Sequence, residues 1–95
     1  MMSLLLWEAN ESLMPKDREE RIKLVMSLTE QTKKSLDSGE TKMWGISTAG
    51  GRGFSVTEGD GKETFARLQA YAPYIRFKVK PMLSFDEFME VMKEM

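Results

Sequence analysis

Apolar and polar positions fall into seven segments with different periods along the chain. The first, Ser3 to Ala9, is a continuous apolar run interrupted only at Glu8. It is too short for a globular helix and predicts a strand buried on both faces at the centre of a sheet. After the polar link "NESLMPK", Asp17 and Glu20 stand at capping-box spacing with Pro15 just upstream. Ile22, Val25, Met26 and Leu36 keep helical spacing as far as Gly39, a natural C-terminal stop. The pattern predicts a helix over Asp17 to Ser38, with Glu19–Lys23 and Glu30–Lys34 as supporting i,i+4 pairs.

Two alternating segments follow, Thr41 to Thr48 and Gly53 to Glu58, joined by "AGGR", the pattern of a β-hairpin. Asp60 and Glu63 repeat the capping spacing and open a second helix, Gly61 to Ala72, that ends at Pro73 and presents Phe65, Leu68 and Ala72 on one face. "YIRFKVK" then alternates strictly, with Ile75, Phe77 and Val79 on one side and Tyr74, Arg76, Lys78 and Lys80 on the other, as a half-buried strand does. Ser84 and Glu87 form a capping box, with Leu83 placed to staple against Phe88, before a terminal helix carrying Phe85, Phe88, Met89 and Met92. The order β-α-β-β-α-β plus a terminal helix predicts an α+β, ferredoxin-like sandwich: one domain over residues 1–95, with a four-stranded antiparallel sheet and two helices on one face.

Composition narrows the chemistry. Fourteen Lys and Arg against fifteen Asp and Glu leave a net charge of −1, so no global field draws the chain to nucleic acid or to an anionic membrane. The absence of Cys and His removes disulfides, thiolate nucleophiles, Cys/His zinc sites and every His relay. No catalytic residue, metal site or cofactor is assigned on this reading. The opening "MMSLLLW" lacks the basic flank and cleavage site of a signal peptide, and no apolar run nears the roughly 18 to 20 residues of a membrane span. These features lead us to expect a cytoplasmic protein without membrane or nucleic-acid partners.

Six of the seven glycines lie between Gly45 and Gly61, which invites a nucleotide reading. A dinucleotide fingerprint fails because Val56 stands in place of the third glycine and a strand follows where a helix is needed. A phosphate loop fails for want of Gly-Lys-Ser/Thr. Arg52-Gly53-Phe54 matches the start of the RNA-recognition signature on the third strand, but Val56 and Gly59 replace the aromatic residues that would complete it. Turn formation accounts for these glycines.

The run "GISTAGGRGFSVTEGDGKETFARLQAYAPYIRFKVKPMLSFDEFMEVM", through Gly53, Phe54, Glu58, Asp60, Phe65, Tyr71, Val79, Pro81 and Met82, resembles a family of small domains of unknown function in the dimeric α/β-barrel superfamily. The resemblance implies a homodimer whose uncovered sheet faces meet to form the barrel; it implies no reaction. If Ile75, Phe77 and Val79 meet the helices, the opposite face carries Tyr74, Arg76 and Lys78. The small residues Gly45, Ser47, Ser55 and Thr57 would join them from the hairpin, and Leu5 and Trp7, or their neighbours of opposite parity, from the first strand. Arg76 and Lys78 would then bind a small carboxylate or phosphate in the barrel interior, with Ser55 and Thr57 donating hydrogen bonds and Ser47, Tyr74 and Trp7 lining the space. A solvated or intersubunit polar face is the plainer account of the same residues. Asp60 is explained as a cap, Glu58 as an acid before a turn, Trp7 and Trp44 as core or dimer residues, and the Met-rich terminus as an oligomer seam. The alternatives are a cofactor-independent oxygenase or isomerase of the dimeric-barrel type, and an RNA-binding module.

Overall fold

The apolar run at the start of the chain takes an interior place in the sheet. In the computed structural model, which describes all 95 residues, strand β1 (Met2–Ala9) lies between β3 (Arg52–Glu58) and β4 (Ile75–Met82). Strand β2 (Thr41–Ile46) pairs with the outer edge of β3, so the order is β2-β3-β1-β4 and every pairing is antiparallel. Helix α1 (Arg18–Asp37) joins β1 to β2, α2 (Gly61–Leu68) with a 3-10 turn (Gln69–Tyr71) joins β3 to β4, and α3 (Phe85–Glu94) ends the chain. The topology is compatible with the ferredoxin-like fold. No helix is long and apolar enough to cross a membrane.

Caps set the helix starts. Asp17 accepts the Glu20 N–H at 3.1 Å, without the reciprocal bond that the spacing predicts. Asp60–Glu63 and Ser84–Glu87 form complete boxes, each cap side chain accepting the backbone N–H three residues on while the Glu accepts the N–H of the cap. At Ser84 the backbone N–H donating to Glu87 holds that carboxyl below its ordinary value. The second helix is shorter than its pattern predicts because its last turn tightens to 3-10 after Leu68. Along α1 the close i,i+4 ion pair is Lys33–Asp37 at 2.7 Å, in place of the two pairs expected from spacing.

Register decides the two sheet faces. Residues opposite one another share a face, so Ser3, Leu5 and Trp7 stand with Thr57, Ser55 and Gly53 of β3 and with Pro81, Val79 and Phe77 of β4. This face meets the helices, and Ser3, Leu5, Trp7, Ser55 and Thr57 are all buried on it. Leu4, Leu6, Glu8, Phe54, Val56, Arg76, Lys78 and Lys80 take the other face, which no helix covers. The expectation of a strand buried on both sides is thereby corrected: Leu6 is 38% exposed and Glu8 is exposed.

The helix layer is loosely seated. Helix α1 buries no residue, and its most shielded positions are Arg21, Leu24, Leu28, Thr32 and Ser35, whereas the predicted stripe Ile22, Val25, Met26 and Leu36 is exposed. Its polar anchors are hydroxyl pairs, Thr32 Oγ1 with the Tyr71 hydroxyl at 3.0 Å and Ser35 Oγ with Thr41 Oγ1 at 2.7 Å. Leu5, Trp7 and Met14 are the buried apolar residues.

Gly53 carries the tightest constraint, since a Cβ there would press on the Gly45 carbonyl oxygen and lie 2.6 Å from the Trp7 ring. Gly53→Ala should therefore cost about 1–3 kcal/mol of unfolding free energy, measured by urea denaturation, whereas Gly61→Ala, whose Cβ would meet nothing within 4 Å, should not destabilise.

Candidate functional site

Because α1 stands off the sheet, a cavity of about 560 Å³ remains between them. The sheet side is built by Leu5, Trp7, Trp44, Ser55, Thr57 and Phe77, and the roof by Val25, Leu28 and Thr32 of α1, Thr64 and Arg67 of α2, and Tyr71. Its two ends differ. At one, the Trp7 and Trp44 rings stack with centroids 5.6 Å apart and planes within 15°, and Phe77 meets Tyr71 edge-on at 5.6 Å. Trp7 is fixed further by donating its indole N–H to the Phe54 carbonyl at 3.4 Å.

The other end is polar. Thr41, Thr57 and Ser3 lie opposite one another in one row across β2, β3 and β1, and all three are buried. Arg67 reaches the same end of β3: Nη2 donates to the Glu58 carbonyl at 2.7 Å and Nε lies 3.1 Å from Glu40 Oε2. Three buried side-chain atoms here have no hydrogen-bond partner, Thr57 Oγ1, Thr64 Oγ1 and Arg67 Nη1. Elsewhere on the cavity wall Arg21 Nη2 pairs with both Glu11 carboxylate oxygens at 3.0 and 2.9 Å.

The sheet divides the residues that the sequence groups into one site. Trp7, Ser55 and Thr57 line the helix-side cavity, whereas Arg76 and Lys78 stand on the open face. The correction has a simple cause: β3 alternates small and large residues, and it turns Ser55 and Thr57 inward and Phe54 and Val56 outward. Arg76 and Lys78 border a shallow groove with Glu8, Arg52 and Ser47, both are exposed, and Arg76 donates to Asn10 Oδ1 at 3.1 Å. Ser47 is exposed, and its hydroxyl accepts the Ala49 N–H within the hairpin turn. Tyr74 precedes β4, is half-buried and lines neither space; its carbonyl accepts the Asn10 N–H. Phe54, the ring of the partial RNA signature, lies on the open face opposite Leu6 of β1. Thr64 and Arg67 fall between the apolar positions of α2, so helical spacing does not single them out; in the fold both line the cavity, and Arg67 bonds the Glu58 carbonyl.

A four-stranded antiparallel sheet carrying α1 and α2 on one face over a cavity defines a small α+β domain. Residues 5–95 match the family described as Domain of unknown function (DUF3303), and the chain belongs to that family. No functionally curated protein matches it.

The indole stack should be measurable as a coupling. In a double-mutant cycle of Trp7→Leu and Trp44→Leu followed by urea denaturation, the interaction energy should be about 0.5–1.5 kcal/mol; additivity of the two substitutions would show that the rings do not stack.

Proposed function

We propose that the protein is a homodimeric binding module for a small, largely apolar organic molecule held between the helices and the sheet. The cavity carries this reading. Its volume falls within the range of small-molecule sites, and aromatic walls with a few convergent polar groups are what such sites use. A helix layer seated on hydroxyl pairs leaves room that a closely packed aliphatic interface would fill. We place the ligand here in preference to the open face because Arg76 and Lys78 sit on the edge strand, at the rim of that face, where cations stay hydrated even when its centre is covered.

Surface area supports the dimer. A monomer of 10.9 kDa is expected to expose about 5,600 Å², whereas this chain exposes 7110 Å². Two copies that each covered the excess would share about 3,000 Å², inside the range of obligate interfaces. The apolar surface is in place for it: Leu4, Leu6, Phe54 and Val56 at the centre of the open face, and Phe85, Phe88, Val91 and Met92 exposed along α3.

Light scattering should report twice the mass of one chain, 10.9 kDa, and Leu6→Glu should convert the protein to monomer. A monomeric wild type at micromolar concentration removes the dimer from this reading. For the cavity, naphthol should raise the melting temperature and quench tryptophan fluorescence, and Leu28→Trp, which places an indole in the space, should abolish both effects without lowering the melting temperature of the free protein. Equal responses from wild type and Leu28→Trp would put the ligand elsewhere.

A further inference from the structure

We infer that the terminal helix is an exchange arm: α3 of each copy lies with its apolar face on the open sheet face of the other, an inference that rests on the chain being a homodimer. One chain carries both halves of such a contact and leaves them apart. Phe85, Phe88, Val91 and Met92 are exposed along α3, and no residue of the helix is buried. Beyond its own cap at Ser84, no hydrogen bond or ion pair joins it to the rest of the molecule. Leu4, Leu6, Phe54 and Val56 form the second half, at the centre of the face that no helix covers.

The shape of the chain keeps the helix off its own sheet. The molecule extends 57 Å along its longest axis against 24 and 22 Å across. Its radius of gyration is 15.4 Å, where about 12 Å is expected of a compact chain of this length. Neither the eight-residue strands, about 26 Å long, nor the twenty-residue α1, about 30 Å, accounts for that extent. Helix α3 stands out past the end of the sheet. Leu83 and Ser84 are the whole connection from β4, and Ser84 is held as the helix cap, which leaves no slack for α3 to fold back.

The two halves match in length and in charge. Phe85 to Met92 covers about 10 Å along a helix, and Met2 to Leu6 about 13 Å along β1. Across β1, β3 and β4 the open face carries Arg52, Arg76, Lys78 and Lys80 against Glu8 and Glu58, a net +2. Helix α3 carries Asp86, Glu87, Glu90 and Glu94 against Lys93, a net −3. Two open faces laid together would repel, whereas an acidic helix is drawn to a basic face. Each copy gives one helix and receives one, so the contact closes at two copies.

The chain has no cysteine, so introduced thiols report these contacts cleanly. The full chain is prepared as Val56→Cys, as Met92→Cys and as the double variant, treated with a short bis-maleimide and resolved by denaturing electrophoresis and mass. The double variant should give a covalent dimer as its main product, and each single variant should stay mainly monomeric on the gel. Independently, Phe88→Glu should raise the dissociation constant of the dimer at least about tenfold. Its far-ultraviolet circular dichroism should not change, because Phe88 is exposed on its own subunit. A covalent dimer from Val56→Cys alone would set sheet against sheet, and one from Met92→Cys alone helix against helix. A cross-link within one chain of the double variant would set the helix on its own sheet. Each of these, like an unlinked double variant that is still dimeric or a dimer that survives Phe88→Glu, overturns the exchange and leaves the homodimer standing. A wild type that is monomeric by light scattering overturns both readings.

Discussion

The antiparallel pairing of β1 on both of its edges is the constraint on which the rest depends. Seven residues of β1 are matched to β3 and eight to β4, without a break on either side. A slip of one residue would turn every side chain to the other face, so this register alone decides what the helices meet. It lays three rows across the covered face. Thr41, Thr57, Ser3 and Pro81 form one, Trp44, Ser55, Leu5 and Val79 the next, and Ile46, Gly53, Trp7 and Phe77 the last. Hydroxyls therefore gather at one end and indoles at the other, and the polarity of the cavity follows from strand pairing before any helix is placed.

Helix packing then leaves that gradient open. The stripe α1 turns to the sheet begins with Leu24 and Leu28 and ends with Thr32 and Ser35, whose hydroxyls reach Tyr71 and Thr41. The Ser35–Thr41 pair ties the helix to β2, and the Thr32–Tyr71 pair ties it to the turn after α2. Burying a few apolar residues leaves a small domain with a modest core, so anything that binds only the folded state contributes visibly to stability. At a ligand concentration a hundred times Kd that contribution is about 2.7 kcal/mol.

Much of the architecture was legible in the sequence, where a local rule had one solution. Asp17, Asp60 and Ser84 each cap the helix their spacing announced, and the strict alternation of β4 put Phe77 on the opposite face from Arg76 and Lys78. Where the pattern carried no parity, the reading failed. The run Ser3 to Ala9 is apolar at both odd and even positions, so nothing local says that Leu5 and Trp7 go in while Leu4 and Leu6 go out. The irregularity between Thr41 and Met43 shifts the parity of β2 against β3, which no count of alternating residues anticipates. Small residues in β3 suggest room on the open side. They instead make room beneath the helices, where Gly53 admits the Trp7 ring. Helix α1 carries apolar residues around much of its circumference, so spacing alone did not choose between the stripe of Ile22 and Met26 and that of Leu24 and Leu28.

Strand β3 ties the two surfaces of the molecule together. Its outward residues, Phe54 and Val56, alternate with Ser55 and Thr57, which bound the cavity, and Trp7 holds the Phe54 carbonyl from the covered side. A sheet is one residue thick, so neither surface can move without the other. Covering Phe54 and Val56 with a second copy would restrain the backbone that positions Ser55 and Thr57. Filling the cavity would in turn restrain the Trp7 ring and the strand segment it holds. Coupling between two such sites is reciprocal in free energy. Were both surfaces occupied, the element between them would be three residues of extended chain, Phe54 to Val56, held on both edges by Gly45, Trp44 and Met43 on one side and Leu6, Leu5 and Leu4 on the other.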